Sequence, residues 1–376
     1  MRNACPDMLI FMTVKRAPYQ IISSKEKEIM KGMKKIIGAG IVAVLAVIAV
    51  YTFVAVKTEN SSDKVQLRLA HGQAADSEIG ETIDYLTDLV AEDDSMNMEV
   101  TMYPSGVLGS ETSLVEMVQA GILDMAKVSA NTLGQFEDKY GVFSLPYLFV
   151  DQEHYYEAMA SSKEIQNLFE STRDKGYIAI GYYANGARNF YMVDDIAVTD
   201  PSVLKGKKIR AMVSSTSMEM IELMGGSPVS MASSETYTSL QQGIVDGAEN
   251  TELALTVDKH EEIVKSYTYT EHQYSPDIYI ISTKTWDSLS PEQQDYLREC
   301  LVKLNDNFVS KYNQMMEDAI EEAEGEGVTV YRDIDKTAFI EAVQPMHEEF
   351  EAKGDDYKAL YEDIQSCADS VEKGDE

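Results

Sequence analysis

The chain has 376 residues, with 64 acidic and 32 basic side chains, five histidines and three cysteines. That length suits about two domains with substantial cores, and a 44% hydrophobic content excludes wholesale disorder. Residues 1–62 hold nine basic and four acidic groups, so the remainder carries a formal charge of −37, the wrong sign for binding nucleic acid or docking on anionic lipid.

Ile36 to Val56 is a run of 21 residues without a charge. As a helix it would be roughly 31 Å long, enough to cross a bilayer core. Lys31, Lys34 and Lys35 precede it, which directs the N-terminus to the cytoplasm and the body outside. A cleaved signal and an uncleaved anchor both fit, since no clean small-x-small site follows and no cysteine after the run offers a lipid attachment point. Met33-Lys34-Lys35 reads as a natural start for such a signal, which would make residues 1–32 an extension of the reading frame. Residues 59–64 read as a polar linker.

In the body, Val65–Ala70 alternates as a half-buried strand does. Asp76 is placed to cap a helix carrying Ile79, Ile83, Leu86, Leu89 and Val90. A strand over Met96–Tyr103, a helix over Glu111–Ala120 and a short strand over Ile122–Val128 follow. Helices are expected around Glu153–Met159 and Glu164–Asp174, and strands at Tyr177–Tyr183, Arg188–Val193 and Lys207–Met212. Ser217–Met224 and Glu235–Gln242 read as helices. Such alternation predicts an α/β layered fold with mostly parallel sheets. Val118–Asp124 resembles Leu240–Asp246: each is a helix end, a glycine, an apolar start and an aspartate. Two lobes on one plan would explain this, and so would coincidence, because helix–Gly–strand joints are common.

Ser290-Pro291-Glu292-Gln293 is a strong helix start, with a cap, a proline at N1 and a capping-box glutamine. Leu297, Leu301, Leu304, Phe308, Tyr312, Met315, Ala319 and Ala323 then recur at helical spacing up to Gly325. A helix of that length, roughly 50 Å, exceeds one small domain and should link two. Val328–Tyr331 reads as a strand, and Asp335–Lys353 and Asp356–Val371 as helices.

No GxSxG, HExxH, Walker loop or GxGxxG occurs, and no two histidines are spaced as metal ligands. Cys5, Cys300 and Cys367 form no CxxC or Cys/His cluster, so neither a disulfide framework nor a zinc site is implied; Cys300 lies on an apolar helix stripe and reads as packing. No catalytic residue, metal or cofactor is therefore expected. His71 directly follows the first strand, where open α/β sheets place ligand-contacting loops, although a core role serves equally. Six arginines follow residue 62: Arg68, Arg173, Arg188, Arg210, Arg298 and Arg332. Arg68 reads as part of an edge-like strand, and Arg173 and Arg298 as solvated helix positions. Arg188 and Arg210 sit in strands, where a guanidinium can take a carboxylate bidentately or pair with one of the many acids.

Gly186-Ala187-Arg188, Leu204–Arg210, Gly226–Met231 and Glu235–Asn250 together resemble the DctP family, the extracytoplasmic solute-binding subunits of tripartite ATP-independent periplasmic (TRAP) transporters. Tyr103–Glu111 and Leu145-Pro146-Tyr147 fit the same family, and the ordered set spans about residues 65–350.

The resemblance implies a two-lobed, periplasmic-binding-protein-like α/β fold with a hinge, a ligand cleft between lobes and a long helix under both. Lobe I would comprise residues 65–185 and about 274–312, lobe II residues 186–273 and about 313–350, with 351–376 as a C-terminal helix and tail. Arg210 would pair with a ligand carboxylate, Arg188 would line the cleft, and Asn250 and Glu111 would contact the ligand's other polar groups. Ser233 and Ser129 stand where some sialic-acid binders carry an aromatic residue and an acid, which disfavours sialic acid and leaves dicarboxylates, sugar acids and other organic acids. The expected partners are a small organic-acid anion and TRAP permease subunits, with the chain a monomer outside the cytoplasmic membrane. A sensor subunit for a signalling kinase and a secreted hydrolase are the competing readings.

Overall fold

The computed structural model describes residues 64–368. The apolar run 36–56 lies outside them; among the described residues no helix is long and apolar enough to cross a membrane.

Eleven strands among these residues form two sheets. The first contains β1 (Val65–Ala70), β2 (Met98–Tyr103), β3 (Met125–Ser129), β4 (Tyr177–Tyr183) and β10 (Asp277–Ser282), in the order β2-β1-β3-β10-β4. The second contains β5 (Ala187–Met192), β6 (Lys208–Ala211), β7 (Ser227–Ser230), β8 (Gly247–Asn250), β9 (Ser266–Tyr274) and β11 (Thr329–Tyr331), in the order β11-β9-β5-β8-β6-β7. The expectation of mostly parallel sheets needs correction, because both are mixed. β10 runs antiparallel to β3 and β4, and β5 antiparallel to β8 and β9. These antiparallel strands are the ones that pass between sheets: β4 leads into β5 through Ala184–Gly186, and β9 into β10 through Ser275 and Pro276.

β9 and β10 have no counterpart in the sequence reading. Every residue of β10 is buried and β9 has only two partly exposed positions, so neither shows the alternation of a one-sided strand. β1 is also not an edge. It lies between β2 and β3, and Arg68 Nε donates to Asp124 Oδ2 at 2.7 Å.

The principal helices are α1 (Glu78–Ala91), α2 (Glu111–Gln119), α3 (Gln152–Ser161), α4 (Lys163–Glu170), α5 (Ser215–Leu223), α6 (Thr236–Gln241), α7 (Pro291–Gly325), α8 (Thr337–Ala352) and α9 (Asp355–Ser366). Ser77, not Asp76, caps α1: its extended backbone immediately precedes the helix and its Oγ accepts from Gly80 N at 3.0 Å. The apolar stripe read for α1 is buried as expected.

α7 has 35 residues, and its capping box is formed: Gln293 N donates to Ser290 Oγ and Ser290 N to Gln293 Oε1. Its buried residues serve two cores. Leu297 to Phe308 pack with β1, β4 and β10 side chains such as Leu67, Ile178 and Tyr279, whereas Ile320 and Ala323 pack with Tyr191 and Tyr267 of the second sheet. Two close approaches lock the helix in place. A Cβ on Gly181 would lie 2.9 Å from Leu301 Cβ, and one on Gly186 only 1.4 Å from Tyr312 Oη.

Candidate functional site

The carboxyl ends of parallel strands carry the residues of interest. In the first sheet these are His71 after β1, Ser129 at the end of β3, and Glu111 opening α2 after β2. In the second they are Arg210 in β6 and Asn250 at the end of β8, with Arg188 on the antiparallel neighbour β5. The two sets face one another: Asn131, just past β3, donates through Nδ2 to Met212 Sδ, just past β6, at 3.1 Å, and to Ser275 Oγ in the crossover at 2.7 Å.

Arg210 is 5% exposed. Its Nη2 donates to the Met231 carbonyl at 3.1 Å, its buried Nε has no hydrogen-bond partner, and no carboxylate among the described residues lies within ion-pair distance. Burial pushes its pKa down, Glu249 opposes that, and Arg188 pushes further down. A guanidinium remains charged even so.

Arg188 is committed to the protein. Its Nε pairs with the Glu249 carboxylate, Nη2 donates to the Glu249 carbonyl at 2.7 Å, and Nη1 donates to Asn250 Oδ1 at 2.7 Å. Burial would raise the Glu249 carboxyl, yet Arg188 and His272 hold it down at about 2. His272 Nε2 stands 3.6 Å from Glu249 Oε2, its Nδ1 is 2.8 Å from Thr270 Oγ1, and its ring stacks on Phe190.

Asn250 Oδ1 accepts from both Arg188 and Thr251 N, the latter at 2.9 Å. The one-turn helix Leu253–Thr256 starts beyond it and uses no side-chain cap, so Asn250 holds a guanidinium rather than capping a helix. Glu111 is likewise not the cap of α2; Ser110 is. Glu111 Oε2 instead accepts from Ser129 N at 3.2 Å and Thr132 Oγ1 at 2.7 Å, and burial followed by Asp277 raises its carboxyl. His71 is fully buried with neither ring nitrogen hydrogen-bonded, and Asp84 Oδ1 is 4.0 Å from Nε2. Burial and then Lys127 lower its pKa to about 4, so it is neutral near pH 7.

Sequence reasoning missed three members of this constellation. Glu249 immediately precedes Asn250 and holds Arg188. Lys127, inside the buried strand Met-Ala-Lys-Val-Ser, pairs with Asp277 at the start of β10. A lysine flanked by apolar residues in a strand with no exposed face was the available signal; Asp277 had none, because β10 itself was not recognised. A groove of about 850 Å³ between α1, β2 and α7 contains none of the arginines, and it carries Glu78, Glu81, Asp84, Asp88 and Lys311. No cluster of three or more histidine, cysteine or acidic side chains suited to a metal occurs among the described residues.

Residues 69–353 match the family described as bacterial extracellular solute-binding protein, family 7, or DctP. The uncharacterized protein YiiZ of Salmonella typhimurium is 39% identical over 302 residues, covering 80% of this chain and 91% of the relative. A TRAP periplasmic solute-binding protein from Anaerococcus prevotii with bound α/β-D-glucuronate superposes with a TM-score of 0.77 at 32% identity, over 82% of this chain and 99% of that one. Another, from Sulfitobacter sp. NAS-14.1 with bound β-D-galacturonate, gives 0.75 at 30% identity, over 80% and 99%.

Proposed function

Because the chain belongs to the DctP family of bacterial extracellular solute-binding proteins, we propose that it is the extracytoplasmic receptor of a TRAP transporter, binding a small organic acid by its carboxylate and delivering it to membrane permease subunits. Arg210 carries this reading. A buried guanidinium with no counter-ion and an unused Nε is a large electrostatic debt for a folded protein. A ligand carboxylate between the sheets would discharge it with two charge-assisted hydrogen bonds. Arg188 acts differently from the expectation that it serves mainly as a second ligand contact. Three of its donors are bound by Glu249 and Asn250, and at most its remaining N–H bonds reach the ligand. Asn250 presents Nδ2 beside it, and Glu111 and His71 receive the ligand's other polar groups. Solved relatives holding uronates support an acid ligand of this kind. Nothing in the constellation pairs a nucleophile with a base, which favours a carrier over a hydrolase. The apolar run 36–56 would export the body or anchor it at the outer face of the cytoplasmic membrane.

Isothermal titration of full-length protein in detergent tests the reading. Arg210→Lys keeps the charge but loses the planar fork. Losing one side of a buried charged pair costs about 2–5 kcal/mol, so affinity should fall roughly 30- to several-thousand-fold while the ligand-free melting temperature stays put. An amide analogue should weaken the wild type comparably and the variant much less. Equal binding of acid and amide would overturn the assignment.

A further inference from the structure

The charges around the cleft are almost fully paired off, and what is left over is polarised. At the second sheet Glu249 takes Arg188, and Arg210 alone lacks a counter-ion. Asp258 influences Arg210 from beyond ion-pair distance, so it reduces rather than adds to the positive charge available there. At the first sheet the one buried cation, Lys127, is consumed by Asp277. Glu111 is then a surplus carboxylate: Oε2 is occupied by Ser129 and Thr132, and Oε1 accepts no hydrogen bond among the described residues. His71, buried beside Lys127 and Asp277, offers ring nitrogens with no hydrogen-bond partner. The walls bearing these groups meet at Asn131 and Met212.

Building on the assignment of Arg210 to a ligand carboxylate, we infer that the cleft accepts a ligand with a single negative charge and rejects dianions. The far end of the ligand meets Glu111 and the Lys127–Asp277 pair, a setting with acceptors to spare and no free cation. A second carboxylate there would find no free cation and would meet the same burial and the same Asp277 charge that already push the Glu111 carboxyl up, so a further negative charge beside it is strongly unfavourable. Hydroxyl groups fit instead, donating to Glu111 Oε1 and exchanging hydrogen bonds with His71. The ligand class is a polyhydroxylated monocarboxylate; C4-dicarboxylates and aldaric acids are excluded.

The test compares six-carbon monoanions with six-carbon dianions, and with two C4-dicarboxylates beside them. Full-length protein in detergent is titrated at constant ionic strength with D-glucuronate, D-galacturonate and D-gluconate, and with D-glucarate, galactarate, L-malate and succinate. The tightest monoanion should bind about 100-fold more tightly than any dianion. Glu111→Gln, which keeps the shape and removes the ionisable carboxyl, should narrow the glucuronate-to-glucarate ratio about tenfold by improving glucarate. A preference under tenfold in the wild type, or tightest binding by a dianion, would overturn the inference while leaving the Arg210 reading intact if Arg210→Lys still weakens binding about 30-fold or more. An unchanged ratio in Glu111→Gln would remove Glu111 as the discriminator. Failure of every acid in both groups would overturn the organic-acid reading itself.

Discussion

Arg188 and Arg210 show how neighbours decide what a guanidinium does. Both lie in strands and both are nearly buried, but Glu249 stands beside one and not the other. Glu249 therefore ties the stability of this region to pH. Its folded pKa of about 2 is below the ordinary 4.5, so the stabilisation is present above 4.5 and is lost as pH falls toward 2. Glu249→Gln should lower stability at pH 7 by about 3 kcal/mol and flatten the acid limb of the unfolding profile over that window. An unchanged acid limb in chemical denaturation would show that the pair contributes nothing. Glu252 behaves oppositely. It is 6% exposed, its Oε2 has no partner, and burial pushes its carboxyl up to about 7. A raised folded pKa means the unfolded chain ionises first, so stability drains away as pH rises from 4.5 through 7. Glu252→Gln should thus gain up to about 3 kcal/mol relative to wild type at pH 8 and little at pH 4.5. Parallel urea midpoints for the two proteins across that range would contradict this.

At the scale of elements, the same joint appears twice. Gly121 and Gly243 have φ of +67° and +66°, each ending a helix, and the following aspartates do equivalent work. Asp124 Oδ2 accepts from Arg68 N of β1 at 3.0 Å, and Asp246 Oδ2 from Lys208 N of β6 at 2.7 Å. Each carboxylate thus ties the start of its own strand to a neighbouring one. Nothing lies within 4 Å of a Cβ built on Gly243, so Gly243→Ala isolates the left-handed backbone penalty and should cost about 1–2 kcal/mol. The Gly186 crossover is tighter. Tyr312, 4% exposed and packed on Phe308, occupies the space an alanine would need. Gly186→Ala should destabilise by about 1–3 kcal/mol, and Tyr312→Ala in the same chain should recover part of that loss. Simple additivity in thermal melts would rule out this contact as the cause.

For the whole molecule, the two crossovers and α7 are the connections on which a hinge must turn. Asn305 Oδ1 accepts from Ala184 N at 2.9 Å, and Tyr312 packs against Gly186, so the long helix is fastened at the crossover while its ends belong to different cores. Ligand joining Arg210 on one sheet to Glu111 on the other should close the cleft by rigid-body rotation. Small-angle scattering of saturated protein should show a smaller radius of gyration than the free form, and ligand at 100 times its dissociation constant should add about 2.7 kcal/mol of stability. Superimposable profiles at saturation would argue against a cleft that closes.

Local chemistry alone determined much of this protein. The capping box and apolar stripe of α7, the core face of α1, and the glycine joints are each written in neighbouring residues, so periodicity and turn chemistry suffice to find them. The ordered motifs from Tyr103 to Asn250 likewise led to the right family. What stayed hidden depends on partners distant in sequence. β9 and β10 are buried on both faces and lack alternation, and without them the mixed sheets and both crossovers could not be drawn. Asp277, 150 residues from Lys127, cancels its charge, and Glu249, 61 residues from Arg188, holds that guanidinium. Pairing of this kind is a property of the assembled sheets. Residue type shows that six arginines follow residue 62; only the fold decides that Arg210 is left without a counter-ion.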